Sequence, residues 1–158
     1  MNIQDATVLV TGANRGIGKA FAPVLERNGG GAFVSVLSVF SWVATPLLTT
    51  YSASKAAAWS FTNAARIQLR RRGTHVVGVH AGPVDTDMAA GFDLEKIPPA
   101  TVATFALDAL EAGEPEAVVD DYSRAVKAGL SDDQDVLYPQ IEREFLALTG
   151  TTATAGNR

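Results

Sequence analysis

The chain has no cysteine, and only two histidines and two methionines among its 158 residues. Without thiols there is no disulfide, no thiolate nucleophile and no zinc–thiolate site. His75 and His80 flank an apolar strand pattern without carboxylate or cysteine companions at ligand spacing, so they read as strand-end residues and no metal is assigned. No surface of one charge is available either. The 13 Lys and Arg face 17 Asp and Glu for a net charge of −4, and the one short basic run is Arg70 to Arg72, which excludes nucleic acid as a partner. No apolar run approaches the roughly 18 residues of a membrane span, and "MNIQDATVLV" lacks a charged region followed by an apolar one. The expectation is a chain that is neither inserted nor exported, with the cytoplasm as its setting. What is present is 47% apolar and 19% charged residues, enough for one globular domain with a core.

Along the chain, "ATVLV" at residues 6–10 is a continuous apolar run with β-branched residues, suited to a strand buried on both faces of a parallel sheet. Ile17, Ala20, Phe21, Val24 and Leu25 then recur at helical spacing, with Pro23 predicting a kink or an early end. Asn28 to Gly31 stop that helix. Residues 32–39, "AFVSVLSV", predict a second buried strand. A long helix follows over 51–71, with Ala53, Ala56, Ala57, Phe61, Ala64 and Leu69 as its apolar positions. Gly73 ends it, and "THVVGVHA" at 74–81 predicts a third parallel strand. Further on, 101–112 is helical with Val102, Phe105, Ala106, Ala109 and Leu110 inward. Residues 116–121 form an edge strand, and Ser131 caps a last helix through Leu148. The tail 151–158 offers no packing face and is expected to be disordered.

Two constellations carry chemistry. "TGANRGIG", Thr11 to Gly18, follows a strand and opens a helix. In that context Gly12 permits the tight turn, while Gly16 and Gly18 let the helix N-terminus approach a pyrophosphate. Arg15 places a cation in that turn, which suits an additional 2′-phosphate and favours NADP(H) over NAD(H). The second is Ser38 at a strand end, with Tyr51 and Lys55 on one face of the following helix. An ammonium one turn away favours a phenolate, so Tyr51 can give or take a proton, and Ser38 can bond the same substrate oxygen. Each motif alone also has a structural reading, as a strand-to-helix turn or a commonplace Tyr–Lys pair. Asp85 and Asp87 read as a solvated loop, and Trp42, Met88 and Phe92 as core, lid or apolar substrate-pocket residues.

Together these residues resemble the short-chain dehydrogenase/reductase family. "TGANRGIG" is similar to its TGxxxGxG cofactor turn, "YSASK" to its YxxxK pair, and "AGPVDTDM" to its PGxVxT segment. Ser38 stands thirteen positions before Tyr51, where the family keeps its serine. The resemblance implies an NADP(H)-dependent oxidoreductase moving hydride between coenzyme and a small carbonyl or alcohol, with Ser38 polarising the carbonyl, Tyr51 as general acid/base and Lys55 supporting it. It implies cofactor contacts from Gly12, Asn14, Arg15, Gly16, Ile17, Gly18, Lys55, Gly82, Val84 and Thr86. The implied fold is α/β, a Rossmann-like doubly wound parallel sheet, and residues 1–150 form one shortened NAD(P)-binding domain.

The shortening is internal. Residues 28–31 match the end of the family's first helix on one side and the entry to the serine strand on the other. The second to fourth strands, their helices, the adenine-ribose contacts and the family's catalytic asparagine have no counterpart. At about 30 residues per βαβ step, something near 90 residues are absent. A right-handed crossover would set the serine strand directly beside strand one. Otherwise an apolar edge stays open, and an exchanged or composite sheet in a homo-oligomer is expected. Two alternatives to the active enzyme therefore stand: a relic that at most binds cofactor, and an interaction module built on the Tyr51 helix.

Overall fold

A computed structural model of the chain describes residues 8–11, as backbone, and 23–150. The glycine-turn residues Gly12, Asn14, Arg15, Gly16, Ile17 and Gly18 and the tail 151–158 lie outside the described residues. Four strands, β1 (Val8–Thr11), β2 (Gly31–Val36), β3 (Thr74–His80) and β4 (Glu116–Val118), form one sheet in the order β1-β2-β3-β4. All three pairings are parallel, with Thr11 opposite Ser35, Val36 opposite Val79 and His80 opposite Val118. Strand one thus finds its partner in the serine strand of the same chain. The helices are α1 (helical over 23–27), α2 (Thr49–Arg70), α3 (Pro99–Ala112), α4 (Asp121–Ala128), α5 (Gln134–Leu137) and α6 (Pro139–Thr149).

The join between α1 and β2 is made by glycines for steric reasons. Gly30 N–H bonds Leu25 O at 2.8 Å and Gly29 N–H bonds Glu26 O at 3.1 Å, the paired closure of a helix C-terminus that needs a left-handed residue, supplied by Gly29 at φ 83°. Gly30, at φ 107°, lies so close to Gly73 that a Cβ would sit 2.4 Å from the Gly73 carbonyl oxygen. No side chain fits there.

Strand alternation sorts the core into two faces. Ala32, Val34, Val77, Val79, Ala81 and Ala117 point to α3 and meet Ala109 and Leu110. Phe33 and Val76 point the other way and meet Ala65 and Leu69 of α2. The steps from β2 to β3 and from β3 to β4 run in the same direction across the sheet, while α2 and α3 lie on opposite faces. The two crossovers therefore have opposite hands, and one departs from the right-handed rule.

Several expectations are corrected. β2 ends at Val36 rather than at residue 39, because Val39–Ser41 turns into a 3₁₀ helix capped by Ser38. The inner positions of α2 are Ser52, Ala58, Thr62, Ala65 and Leu69; of the expected positions only Leu69 is buried, and Phe61 is exposed. Polar residues can occupy the inner face because Ser52 Oγ donates to Leu48 O at 3.0 Å and Thr62 Oγ1 to Ala58 O at 2.8 Å, satisfying each hydroxyl within the helix. On α3, Phe105 points outward. The strand expected over 116–121 stops at Val118, since Asp120 caps α4 by accepting from Ser123 N–H at 2.8 Å. Ser131 caps nothing: the last helix is two, α5 entered from Asp133 and α6 from Tyr138 with Pro139 in its first turn. No helix among the described residues is long and apolar enough to cross a membrane.

Candidate active site

Ser38, Tyr51 and Lys55 all belong to the C-terminal end of β2 and the helix that follows it. The ladder continues past β2, Leu37 N–H bonding Val79 O at 2.8 Å and Val39 N–H bonding Ala81 O at 3.0 Å, so the Ser38 turn is tied to β3 on both sides. Ser38 is extended and buried. Its Oγ accepts from Phe40 N–H at 3.2 Å, while its backbone N–H donates to Ser41 Oγ at 3.1 Å and Ser41 Oγ in turn donates to the Ser38 carbonyl. Held as an acceptor, the Ser38 hydroxyl keeps its proton available as a donor.

Tyr51 is half-buried in the first turn of α2. Lys55, one turn on, donates from Nζ to Val36 O at 3.0 Å and stands 5.6 Å from the centre of the Tyr51 ring. Burial of its side chain pushes the ammonium below its ordinary value, since the charged form is poorly solvated there. α2 thus carries the Tyr–Lys pair to the mouth of the serine strand. A nicotinamide ribose beside a reacting carbonyl requires clustered donors. Lys55 has two N–H groups beyond the one on Val36, and Ser38 has its hydroxyl proton, so the donor set at this end of the sheet fits that group.

After β3, Gly82 N–H donates to Asp120 Oδ2 at 2.8 Å, and Asp120 also accepts from Ser123 Oγ at 2.8 Å. A helix cap therefore clamps the turn that contains Gly82, Val84 and Thr86. Val84 pairs with Ile97 in an isolated parallel bridge, and Thr86 is exposed, its hydroxyl donating to Val84 O at 3.3 Å. Asp85 is an exposed loop residue, and Asp87, also exposed, opens a short 3₁₀ helix, Asp87–Ala89. Met88 and Phe92 are exposed. A shallow cleft of ≈ 190 Å³ lies among α4, α5 and α6, lined by Tyr122, Val126, Leu137 and Ile141 among others, and none of the expected site residues borders it. Tyr122 is pushed up to about 12 by burial, then by Glu144 and Asp120.

A cluster that sequence reasoning did not find sits directly behind Ser38. His80, fully buried on β3, stacks on Trp42 with ring centres 3.8 Å apart and planes 15° apart. Its Nδ1 lies 3.2 Å from the Ser38 carbonyl oxygen. Its Nε2 lies 3.5 Å from Glu116 Oε1, without hydrogen-bond alignment. Glu116 also accepts from Lys127 Nζ at 2.7 Å and Trp59 Nε1 at 3.2 Å. These neighbours, His80 first, hold the Glu116 carboxyl well below the usual carboxylate range against the opposing effect of burial. Trp42 is thus part of the packing around His80.

The architecture and the site define a Rossmann-like α/β unit with a serine turn and a Tyr–Lys helix at the carboxyl end of its sheet. The short chain dehydrogenase profile matches residues 19–96, running across the join and through Tyr51, Lys55 and Thr86. A short chain dehydrogenase from Burkholderia cenocepacia J2315, solved in complex with NADP, is similar at 35% identity and TM-score 0.74 over 79% of this chain and 54% of that one. A short-chain dehydrogenase from Sphingobium yanoikuyae, in complex with NADPH, shares the fold at 19% identity and TM-score 0.56, over 90% of this chain and 54% of that one. An uncharacterized oxidoreductase of Staphylococcus aureus (strain MRSA252) is 30% identical over 95 residues, 58% of this chain and 41% of the relative. The chain thus spans about half the length of the relatives it matches. These likenesses support a shortened relative of the short-chain dehydrogenase/reductase family of oxidoreductases, with a truncated Rossmann-like sheet.

Proposed function

We propose that the chain is a cytoplasmic NADP(H)-dependent oxidoreductase acting on a small carbonyl or alcohol, with Ser38, Tyr51 and Lys55 as its proton-handling residues. The observation that carries this reading is the convergence of Lys55 Nζ on Val36 O at 3.0 Å with a Ser38 hydroxyl whose oxygen is held by Phe40 N–H at 3.2 Å. When bound, the dinucleotide supplies the hydride in reduction and accepts it in oxidation. Ser38 donates a hydrogen bond to the substrate oxygen and fixes it opposite the phenol. Tyr51 transfers its proton to that oxygen as the carbonyl carbon is reduced, and recovers one from solvent afterwards. Lys55 offsets the negative charge left on the phenolate and offers its remaining donors to the ribose. Gly82, Val84 and Thr86 line the nicotinamide side. Gly12, Asn14, Arg15, Gly16, Ile17 and Gly18 bind the pyrophosphate and 2′-phosphate, as their motif supports. Similarity to the NADP-bound Burkholderia relative favours NADP(H) over NAD(H).

The outer face of α2 supports a homo-oligomer. Phe61 at 37% and Ile67 at 77% exposure share it with exposed alanines 53, 56, 57 and 64, a small-residue surface onto which a second copy can pack closely.

The test is NADPH titration followed by oxidation assays on a panel of aldehydes and ketones, with Tyr51→Phe as control. Tyr51-dependent turnover supports the enzyme, with the variant slower by about 10²–10⁴-fold. Binding without such turnover supports the cofactor-binding relic, for which the absent asparagine argues. No binding at all supports the interaction module.

A further inference from the structure

We infer that His80 is a positioning residue for Ser38, an assignment that rests on the reading of Ser38 as the carbonyl-polarising group. The Ser38 carbonyl is the oxygen to which the ring points, at 3.2 Å from Nδ1. A carbonyl can only accept, so Nδ1 must carry a proton, and this contact sets the tautomer. The ring itself cannot turn away. One face stacks on Trp42 at 3.8 Å, and the ring is wholly shielded from solvent. Its far edge meets Glu116, which is itself held by Lys127 and Trp59 at 2.7 and 3.2 Å.

The other contacts to the Ser38 carbonyl come from within the turn: Ser41 N–H at 3.0 Å and Ser41 Oγ. These close the turn on itself, while Leu37 N–H on Val79 O at 2.8 Å and Val39 N–H on Ala81 O at 3.0 Å hold its two flanks against β3. His80 is the side chain that connects the Ser38 peptide to β3, β4 and α2 together, because Glu116 reaches Trp59, two turns beyond Tyr51. Tilting the Ser38–Val39 peptide would swing the Ser38 hydroxyl relative to the phenol. The Val39 N–H bond to Ala81 O at 3.0 Å holds the amide end of that peptide and the imidazole holds its carbonyl end, so the two together fix the angle at which the serine proton is presented.

The first measurement needs no variant: long-range ¹⁵N–¹H spectra of the imidazoles in the full chain. The expected result is a His80 ring protonated at Nδ1; a ring with bare Nδ1 overturns the assignment. The second compares His80→Asn, whose amide N–H falls near the place of Nδ1, with His80→Gln, whose amide falls near Nε2. Amide hydrogen exchange at Phe40 and Ser41 and the kcat and KM for carbonyl reduction are read on both. His80→Asn is expected to stay within about threefold of the parent in both. His80→Gln is expected to exchange about tenfold faster at those amides and to lose about tenfold in kcat with KM unchanged. Equal behaviour of the two variants overturns the assignment. If the parent reduces nothing on the panel, the enzyme reading fails, while tautomer and exchange still decide whether His80 holds the turn.

Discussion

On the face of the sheet covered by α3, the inward strand residues Ala32, Val34, Val77, Val79 and Ala117 are all apolar. On the face covered by α2, Phe33 and Val76 give way along β2 and β3 to Ser35, Gly78 and His80, with Glu116 opposite Gly78 at the start of β4. The same strands thus build one face for cohesion, where packing density is the only requirement, and another in which every buried polar group needs a named partner. Thr62 answers Ser35 at 3.0 Å, and Trp59 and Lys127 answer Glu116. Gly78 leaves space where a Cβ would lie 3.1 Å from Leu37 Cδ1 and 3.5 Å from His80 Nε2. The gradient runs toward Ser38, so specificity of contact is concentrated where the chemistry is proposed.

Substitutions on the two faces should therefore fail in different ways. Leu110→Ala, at 0% exposure in the α3 core, is expected to cost about 2–5 kcal/mol in urea unfolding while leaving turnover per folded molecule unchanged. A loss of turnover in the folded fraction would break the division between the faces. Thr62→Val, on the α2 side, is expected to cost about 1–3 kcal/mol because Ser35 is left buried with its partner gone. Adding Ser35→Ala should recover part of that loss, a coupling readable from the double-mutant cycle.

Acid should act on the α2 face first. The carboxyl of Glu116 is depressed in the folded chain, so the stability it contributes is complete above the ordinary glutamate value of 4.5 and is lost as pH falls below it toward the folded value. Glu116→Gln should flatten the fall in unfolding midpoint below about pH 4.5; an unchanged slope would remove Glu116 from the account. The smallest effect on stability belongs to the outer surface of α2. Ile67→Glu is expected to change unfolding by less than about 0.5 kcal/mol and yet to shift sedimentation from oligomer to monomer.

The elements built on simple periodicity were legible in the sequence. β3 and α3 fall within two residues of their expected bounds because continuous apolar runs and a proline start leave few alternatives. The face of α2 was not legible: its alanines are small enough to read as apolar on either side, and Ser52 and Thr62 become buriable only once their hydroxyls bond back into the helix. Ser38, Tyr51 and Lys55 could be named from spacing, and the fold brings them to one end of the sheet. His80 could not, since Trp42 and Glu116 are brought to it by the sheet register and by nothing local. Asp120 was readable in principle, an aspartate three residues before Ser123, but the β-branched run ahead of it drew it into the strand.

The adjacency of β1 and β2 makes the sheet a ruler with a missing division. In a Rossmann order of 3-2-1-4-5-6 a strand stands between the one that delivers the phosphates and the one that bears the serine. Here Thr11 is opposite Ser35, a lateral offset of one strand spacing, about 4.8 Å, where the intact order has two. Under the proposed function, the distance between where a dinucleotide is gripped and where it reacts is therefore counted in whole strands, and this chain has removed one from the count.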